Sequence, residues 1–302
     1  MPELPEVETT VDQLKEKILK RKIINVWCDN LKMIKRVVFG KLTNVGFKEF
    51  KASVVSHKNK IENIKRKGKN ILIIFNNDQI ILIHQKLTGH LLLGKWQKRS
   101  KNGKWTSTRK GLLREKVNEY IHLIFWLDDG EMLILSDLRK FAKLVYGKKD
   151  QISDLPEIKE LGPDPLDKNL TFGKFKAIIQ KRNKRIKQAL IDQKIIAGIG
   201  NIYSDEILWR ARIHPFKRIR RLTQKELKKI YLSTKDVLKR AIKLRGESIS
   251  NWRDTEGKRG NFDGIRKVYR RKGKPCPRCK TPIKRRKIGG RSTHFCPICQ
   301  SS

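Results

Sequence analysis

The sequence predicts an α+β multidomain protein: an N-terminal β-sandwich with a helix at its start, then a helical domain, then a C-terminal zinc-ribbon hairpin. Three features carry that expectation. Short β-branched and aromatic runs dominate between Lys22 and Tyr146, helical spacing takes over beyond a Pro- and Gly-containing segment, and two Cys-x-x-Cys pairs lie near the C-terminus. At 302 residues and 38% hydrophobic content, the chain can bury the cores of about two domains.

Val7, Val11, Leu14, Ile18 and Leu19 recur at the spacing of one helix face, so the chain enters an amphipathic helix almost at once. Strand runs follow at Ile23 to Trp27, Asn70 to Phe75, Gln79 to His84, Tyr120 to Leu127, Met132 to Ser136 and Lys143 to Tyr146. Turn chemistry at Asn76-Asn77-Asp78 and Asp128-Asp129-Gly130 separates them, and the set predicts a sandwich or flattened barrel of about eight strands. From Asp150 to Lys168, Pro156 and Gly162-Pro163-Asp164-Pro165 interrupt any periodicity and mark an interdomain linker. Helical spacing then runs over Phe172 to Gln180, Ile186 to Asp192, Ile202 to Arg210 and Gln224 to Leu244, the last opened by a capping box of Thr223 and Glu226. The expected divisions are 1–149 for the sandwich, 150–168 for the linker, 169–263 for the helical domain and 264–302 for the zinc finger.

Cys276-x2-Cys279 and Cys296-x2-Cys299, with 16 residues between the pairs, have the spacing of two knuckles closed on one tetrahedral Zn2+. Two disulfides would need an oxidising compartment, which the acidic, Pro-containing N-terminus does not indicate. Four thiolates leave no open coordination position, so the zinc is expected to be structural. The hairpin between the pairs carries Gly289-Gly290-Arg291 at its tip and places Arg291 in reach of a phosphate or base edge; on composition alone, a solvated basic loop fits equally. Cys28, alone in an apolar stretch, reads as a small buried hydrophobe.

Lys and Arg number 72 against 30 Asp and Glu, a formal net charge of +42, which self-repulsion penalises unless a polyanion binds. A lysine-rich genomic bias would leave merely solvated lysines. Here arginines contribute and the basic residues span the whole length, which favours a surface that tracks phosphates. No apolar run approaches a membrane span of about 18 residues, and the N-terminus lacks signal-peptide character, so a soluble, cytoplasmic protein without a membrane partner is expected.

Pro2, Pro5 and the acidic residues near them suit a first helical turn. Removal of Met1, however, would leave Pro2 as a free secondary amine with a pKa near about 8, able to form an iminium with a sugar carbon. Glu3 beside it supplies a carboxyl group for proton transfer.

The opening Met1-Pro2-Glu3-Leu4-Pro5-Glu6-Val7-Glu8-Thr9 resembles that of the formamidopyrimidine-DNA glycosylases, and later motifs follow the family order over nearly the whole chain. Lys67-Gly68-Lys69 resembles a basic turn whose lysine, Lys69, assists elimination. His84-Gln85-Lys86-Leu87-Thr88-Gly89 resembles the void-filling loop, and Asp137-Leu138-Arg139-Lys140-Phe141 the segment whose Arg139 and Phe141 enter the duplex. Leu161 to Leu166 is similar to the interdomain linker. Lys194 and Gly198-Ile199-Gly200-Asn201-Ile202-Tyr203 resemble the helix-two-turns-helix element, and Arg291 resembles the arginine that contacts phosphate and promotes the second elimination. Without the resemblance, Lys69 reads equally as an edge-strand lysine, Arg139 and Phe141 as a surface and a core residue, and Asn201 as a helix cap. Two departures stand out: Leu87 replaces a common methionine, with Gln85-Lys86 for Leu-Gly, and the position of a DNA-contacting histidine usual in the family falls near Asn118, beside the loop from Gln97 to Lys116.

The resemblance implies a monomeric repair enzyme that kinks damaged double-stranded DNA, flips the lesion into the cleft between its domains and fills the hole with Leu87, Arg139 and Phe141. Pro2 attacks the sugar C1′ and expels the base, Glu3 protonates the ring oxygen, and β and δ eliminations cut the strand on both sides. Glu247 to Phe262 resembles a loop that covers 8-oxoguanine, which points to oxidised purines. An endonuclease VIII-like enzyme for oxidised pyrimidines and a non-catalytic zinc-ribbon binder of nucleic acid are the alternatives.

Overall fold

A computed structural model describes residues 1–55, 58–99, 103–248 and 251–300. Helix α1 (Leu4–Ile18) begins where Glu3, in extended backbone with φ −105°, serves as N-cap and Pro5 fits the first turn. Its inner face, Leu4, Val7, Val11, Leu14 and Ile18, is at most 1% exposed. Burying each such side chain contributes about 2 kcal/mol, so this face anchors the N-terminus.

The chain continues through β1 (Ile23–Cys28), β2 (Ile34–Val38), β3 (Lys41–Asn44), α2 (Phe47–Val54), β4 (Ile61–Lys67), β5 (Asn70–Phe75), β6 (Gln79–His84), β7 (His90–Gly94), β8 (Trp96–Lys98), β9 (Trp105–Ser107), β10 (Ile121–Leu127), β11 (Met132–Ser136) and β12 (Lys143–Lys148). Among the described residues, a four-stranded sheet in the order β1-β10-β11-β7 and a six-stranded sheet in the order β3-β2-β12-β6-β5-β4 form the sandwich, while β8 and β9 pair as a separate ribbon. Ile71, Ile73, Ile83, Phe125, Leu135 and Leu144 join the α1 face in one core. A second cluster, built on Leu92, Ile124 and Ile134, is covered by Trp27, Trp105 and Trp126.

The sandwich is therefore larger than the expected eight strands. Strands β2, β3 and β4 interleave Lys and Arg with apolar residues, and β3 and β4 are the sheet edges, where charge is tolerated. Strand β7 is buried on both faces and so has no alternation to reveal it.

Helices α3 (Lys149–Asp154) and α4 (Pro156–Lys159) end the first stretch, and the chain separates into two compact units. One comprises 1–159 with 245–261; the other comprises 160–244 with 262–302. The second unit contains α5 (Phe172–Gln180), α6 (Ile186–Ile191), α7 (Asn201–Ala211), α8 (Gln224–Lys243) and the hairpin β13 (Lys284–Ile288) and β14 (Arg291–Phe295). The capping box of α8 forms: Glu226 N donates to Thr223 Oγ1 at 3.2 Å and Thr223 N to Glu226 Oε2 at 2.9 Å. Among the described residues, no helix is long and apolar enough to cross a membrane.

Candidate active site and nucleic-acid-binding elements

Pro2 is buried and Glu3 is 3% exposed, both at the head of α1. Glu6 secures them: its Oε2 accepts the Glu3 backbone N–H at 2.6 Å, and its Oε1 accepts the Glu247 N–H at 2.7 Å. Glu6 thereby ties the N-terminus to the segment 245–248 of the same unit. That segment belongs to a longer anchored stretch, with Asp254 Oδ2 accepting from Gln13 Nε2 at 3.1 Å and Glu256 pairing with Lys17 at 2.6 Å. The stretch is the Glu247 to Phe262 loop singled out in the sequence, of which Ile249 and Ser250 lie outside the described residues.

Lys69 follows the turn at Gly68, which joins β4 to β5 and has φ +60°. Helix α1 packs on β4 and β5, and Glu8 of the helix pairs with Arg66, whose Nη1 donates to Gly68 O at 3.3 Å. The first turns of α1 and the turn before Lys69 are thus held together, with Lys69 6% exposed. Lys69 is close enough to His84, its neighbour across β5 and β6, to oppose imidazole protonation. Burial foremost, then Lys86, Lys69 and Lys143, holds His84 down to about 3.

Leu87, Arg139 and Phe141 sit on two loops cross-linked by Asp137, which is fully buried. Its carboxylate accepts from the Thr88 hydroxyl, from Arg139 N at 3.2 Å and from Ala142 N at 2.7 Å. Arg139 N also lies 3.1 Å from Thr88 Oγ1. The buried carboxylate leaves Leu87 37% and Phe141 50% exposed, with the Arg139 guanidinium 4.6 Å above the Phe141 ring. Gly89 closes the first loop where a Cβ would come within 2.5 Å of Gln85 O. Gln85 itself is 1% exposed, and neither atom of its amide has a hydrogen-bond partner among the described residues. Asn118 is not offered to solvent: its Oδ1 accepts from His90 Nε2 at 2.8 Å, and its Nδ2 donates to Leu112 O at 2.8 Å. Residues 100–102, within the Gln97 to Lys116 loop, lie outside the described residues.

In the second unit, two turns connect α6 to α7, braced by Gln193. Its Nε2 donates to Ile191 O at 2.9 Å and Ile199 O at 2.7 Å, and its Oε1 accepts from Gly198 N at 2.9 Å. Asn201 opens α7, and its Oδ1 has no partner among the described residues. Lys194 is exposed on the turns and pairs with Glu160 at 2.5 Å.

Arg291 is exposed at the start of β14, directly after Gly289 and Gly290, whose φ values of +51° and +74° make the tight turn. The four cysteines Cys276, Cys279, Cys296 and Cys299 place their sulfurs within 4.8 Å of one another. Sulfur separations of 3.9 Å for Cys276 and Cys299 and 3.4 Å for Cys279 and Cys296 suit thiolates around one ion with Zn–S bonds near ~2.3 Å. The Thr281 hydroxyl, 3.4 Å from Cys279 Sγ, brings that thiol down to about 6. The residues fit a structural Zn2+.

The ribbon is joined to α7 at several points. Arg278, inside the first cysteine pair, donates to Trp209 O at 2.7 Å and Arg210 O at 3.2 Å, and stacks 3.8 Å from the Trp209 ring centre. Asp205, paired with buried Lys187 at 2.5 Å, accepts from His294 N at 2.9 Å, while Lys187 also donates to Ser292 O at 3.0 Å. None of these braces, Glu6, Asp137, Gln193, Asp205 or Arg278, was singled out in the sequence.

These features define a class of protein: a β-sandwich with its N-terminus locked beside a buried lysine, and a second unit of paired helices carrying a four-cysteine zinc ribbon. Three family models match the chain: the formamidopyrimidine-DNA glycosylase N-terminal domain over 1–144, the formamidopyrimidine-DNA glycosylase H2TH domain over 161–252, and a zinc finger found in FPG and IleRS over 273–301. The formamidopyrimidine-DNA glycosylase of Pelotomaculum thermopropionicum is 35% identical over 300 residues, covering 99% of each chain, and one from Bacillus cereus is 35% identical over 301 residues, again covering 99% of each. The chain belongs to the formamidopyrimidine-DNA glycosylase family. Among solved structures, the Lactococcus lactis Fpg in complex with an abasic-site-containing DNA superposes with a TM-score of 0.81 at 30% identity, covering 99% of this chain and 100% of that one. The Thermus thermophilus MutM protein does so at 0.79 and 29% identity, covering 100% and 99%.

Proposed function

We infer that this protein is a base-excision repair enzyme that removes oxidised purines from damaged double-stranded DNA and then cuts the strand as an abasic-site lyase. The observation that carries the reading is the Pro2-Glu3 pair fixed at the head of buried α1 by Glu6. Family membership over nearly the whole chain supports it. With Met1 in place the Pro2 nitrogen is an amide, so the chemistry requires Met1 to be removed.

The freed amine attacks C1′, the C1′–N bond to the base breaks, and Glu3 gives a proton to the ring oxygen as the sugar opens. The iminium so formed acidifies C2′. Loss of that proton expels the 3′ phosphate, and a further elimination expels the 5′ phosphate. Lys69 assists the first elimination and Arg291 the second. Leu87, Arg139 and Phe141 occupy the space vacated by the extruded nucleotide, at a cost of a few kcal/mol for unstacking that phosphate contacts, including those of Lys194 and Asn201, offset.

A preference for oxidised purines is supported by the relatives' name and by a Lactococcus lactis complex with Fapy-dG-containing DNA. We propose that it acts as a monomer in the cytoplasm; that location accords with the bacterial relatives and with free cysteines gathered as a zinc site. Borohydride should trap a covalent adduct with duplex DNA carrying 8-oxoguanine opposite cytosine, faster than with thymine glycol, and Pro2→Gly should abolish it. The absence of any adduct from a chain whose mature N-terminus is Pro2 would sink the assignment.

A further inference from the structure

Helix α8 carries a row of basic residues that neither the catalytic chemistry nor the helix-two-turns-helix element uses. Lys225, Lys228, Lys229, Lys239, Arg240 and Lys243 are exposed and Lys235 is half-buried. At 3.6 residues per turn they fall within an arc of about 140°, and from Lys225 to Lys243 the row is about 27 Å long. The opposite face, including Leu227, Ile230, Val237, Leu238 and Ala241, is buried, so the helix cannot rotate the charges apart.

Elsewhere in the chain, basic side chains such as Lys17, Arg36 and Lys143 have carboxylate partners. Among the described residues, none of the six exposed bases of α8 is ion-paired with a carboxylate. The two acids of the helix are engaged elsewhere: Glu226 with Lys217 at 2.8 Å and Asp236 with Arg210 at 3.1 Å. Arg212 continues the row across a groove of about 460 Å³ between the end of α7 and Lys229, while Arg210 beside it is held by Asp236. Asn201 opens α7 and these arginines close it, roughly 15 Å apart along the helix axis. An unneutralised row of like charge on a rigid helix raises the energy of the free protein, and a linear polyanion relieves it.

We propose that the outer face of α8, with Arg212, is a second DNA-binding surface that holds an undamaged duplex segment by its phosphates, separately from the lesion-bearing one. The proposal rests on the repair reading for its choice of duplex DNA over other polyanions. It gives the enzyme a way to keep hold of one segment while another occupies the catalytic site, so that transfer between segments need not pass through free protein.

The test uses the full zinc-loaded chain with its catalytic site saturated by a short duplex containing a tetrahydrofuran abasic analogue, followed by titration with a labelled undamaged duplex. The wild type should bind this second duplex. Substituting Lys225→Gln, Lys229→Gln, Lys239→Gln and Lys243→Gln together should weaken that binding at least about tenfold and lower its salt slope by up to about 4, because each neutralised phosphate contact contributes about 0.9. The four corresponding Lys→Arg changes should keep it, and excision from a short lesion duplex should stay within about twofold in both variants. The idea is overturned if the saturated wild type binds no second duplex, if the Gln variant binds it equally well, if excision falls as much as second-duplex binding, or if structured RNA alone is lost. Failure of the wild type to excise any lesion would instead remove the repair reading, while the second-duplex titration would still report on α8.

Discussion

The Glu6 carboxylate holds the Glu3 backbone N–H at 2.6 Å, so the second residue of the proposed catalytic pair is positioned by a side chain one helical turn further along. Its other oxygen takes the Glu247 N–H, and Gly246, at φ +73°, leaves room for that approach, since a Cβ there would stand 2.5 Å from Glu6 Oε1. One buried carboxylate thus sets the N-terminus and the start of the 245–261 segment together.

Glu6→Ala should therefore do more than remove a helix cap. Two buried backbone donors lose their partner, at about 1–3 kcal/mol each, so thermal unfolding should come several degrees earlier. Adduct formation with oxidised duplex DNA should fall by more than about tenfold, because Pro2 and Glu3 lose their fixed geometry. Glu16→Ala, on the exposed side of α1, is the control. Equal trapping by the Glu6 variant and wild type would show that the clamp has no part in positioning the pair.

A second expectation concerns Gln85, a polar residue in the loop that carries Leu87. Its amide is buried with no partner for either atom among the described residues, an arrangement that costs about 1–3 kcal/mol. Gln85→Leu keeps a similar volume and removes the cost, so the variant should be more stable by about 1 kcal/mol and unfold a few degrees higher. Calorimetry on the two proteins decides it, and a lower midpoint for the variant would mean that the amide is in fact satisfied.

Much of the architecture was legible because it is written locally. The α1 stripe, the four cysteines, the Thr223 cap and the Gly289-Gly290 turn each lie within a short stretch of chain, and their periodicity or spacing reports the element directly. The catalytic candidates were legible only through motif order. The residues that brace them were not, because their partners are distant in sequence: Glu6 meets Glu247, Thr88 meets Asp137, and Asp205 meets His294. A lone buried Glu or Asp in a helix or after a strand gives no sign of which backbone amide it will hold. The return of 245–261 to the first unit is hidden for the same reason, since its ties to Gln13 and Lys17 are side-chain contacts across most of the chain.

Zinc removal should act on α7 as well as on the ribbon. Arg278 supplies donors to the last carbonyls of α7 only while the Cys276-Cys279 turn keeps its shape, and a four-thiolate zinc site contributes on the order of 10 kcal/mol to such a fold. Chelation, or Cys276→Ser, should lower the unfolding midpoint and reduce helical signal in the second unit. It should also depress DNA binding at least about tenfold, because Arg291 and Asn201, the proposed DNA contacts, sit on the elements released. Cys28→Ser should leave zinc content unchanged. A chelated chain with unaltered melting and binding would contradict the coupling.

Acid sensitivity provides the last expectation. Burial, followed by the neighbouring charges of Lys86, Lys69 and Lys143, lowers His84 to about 3, and its Nδ1 accepts the Lys86 N–H at 3.0 Å, which requires that nitrogen unprotonated. The folded state therefore binds fewer protons than the unfolded chain between about pH 3 and the ordinary histidine value near about 6.5. Stability contributed by the neutral imidazole is complete above that window and declines as pH falls through it. His90, also lowered by burial, acts in the same direction. Most carboxylates titrate below about pH 5, and Glu206, whose carboxyl burial raises, is common to both proteins, so the difference between variant and wild type from there to about 6.5 isolates His84. In that interval, His84→Asn should flatten the fall of unfolding free energy with acidity relative to wild type, measured by denaturant titration at several pH values. An unchanged slope would mean that His84 is protonated in the folded protein, and the loop carrying Leu87 would then have to accommodate a cation beside Lys69.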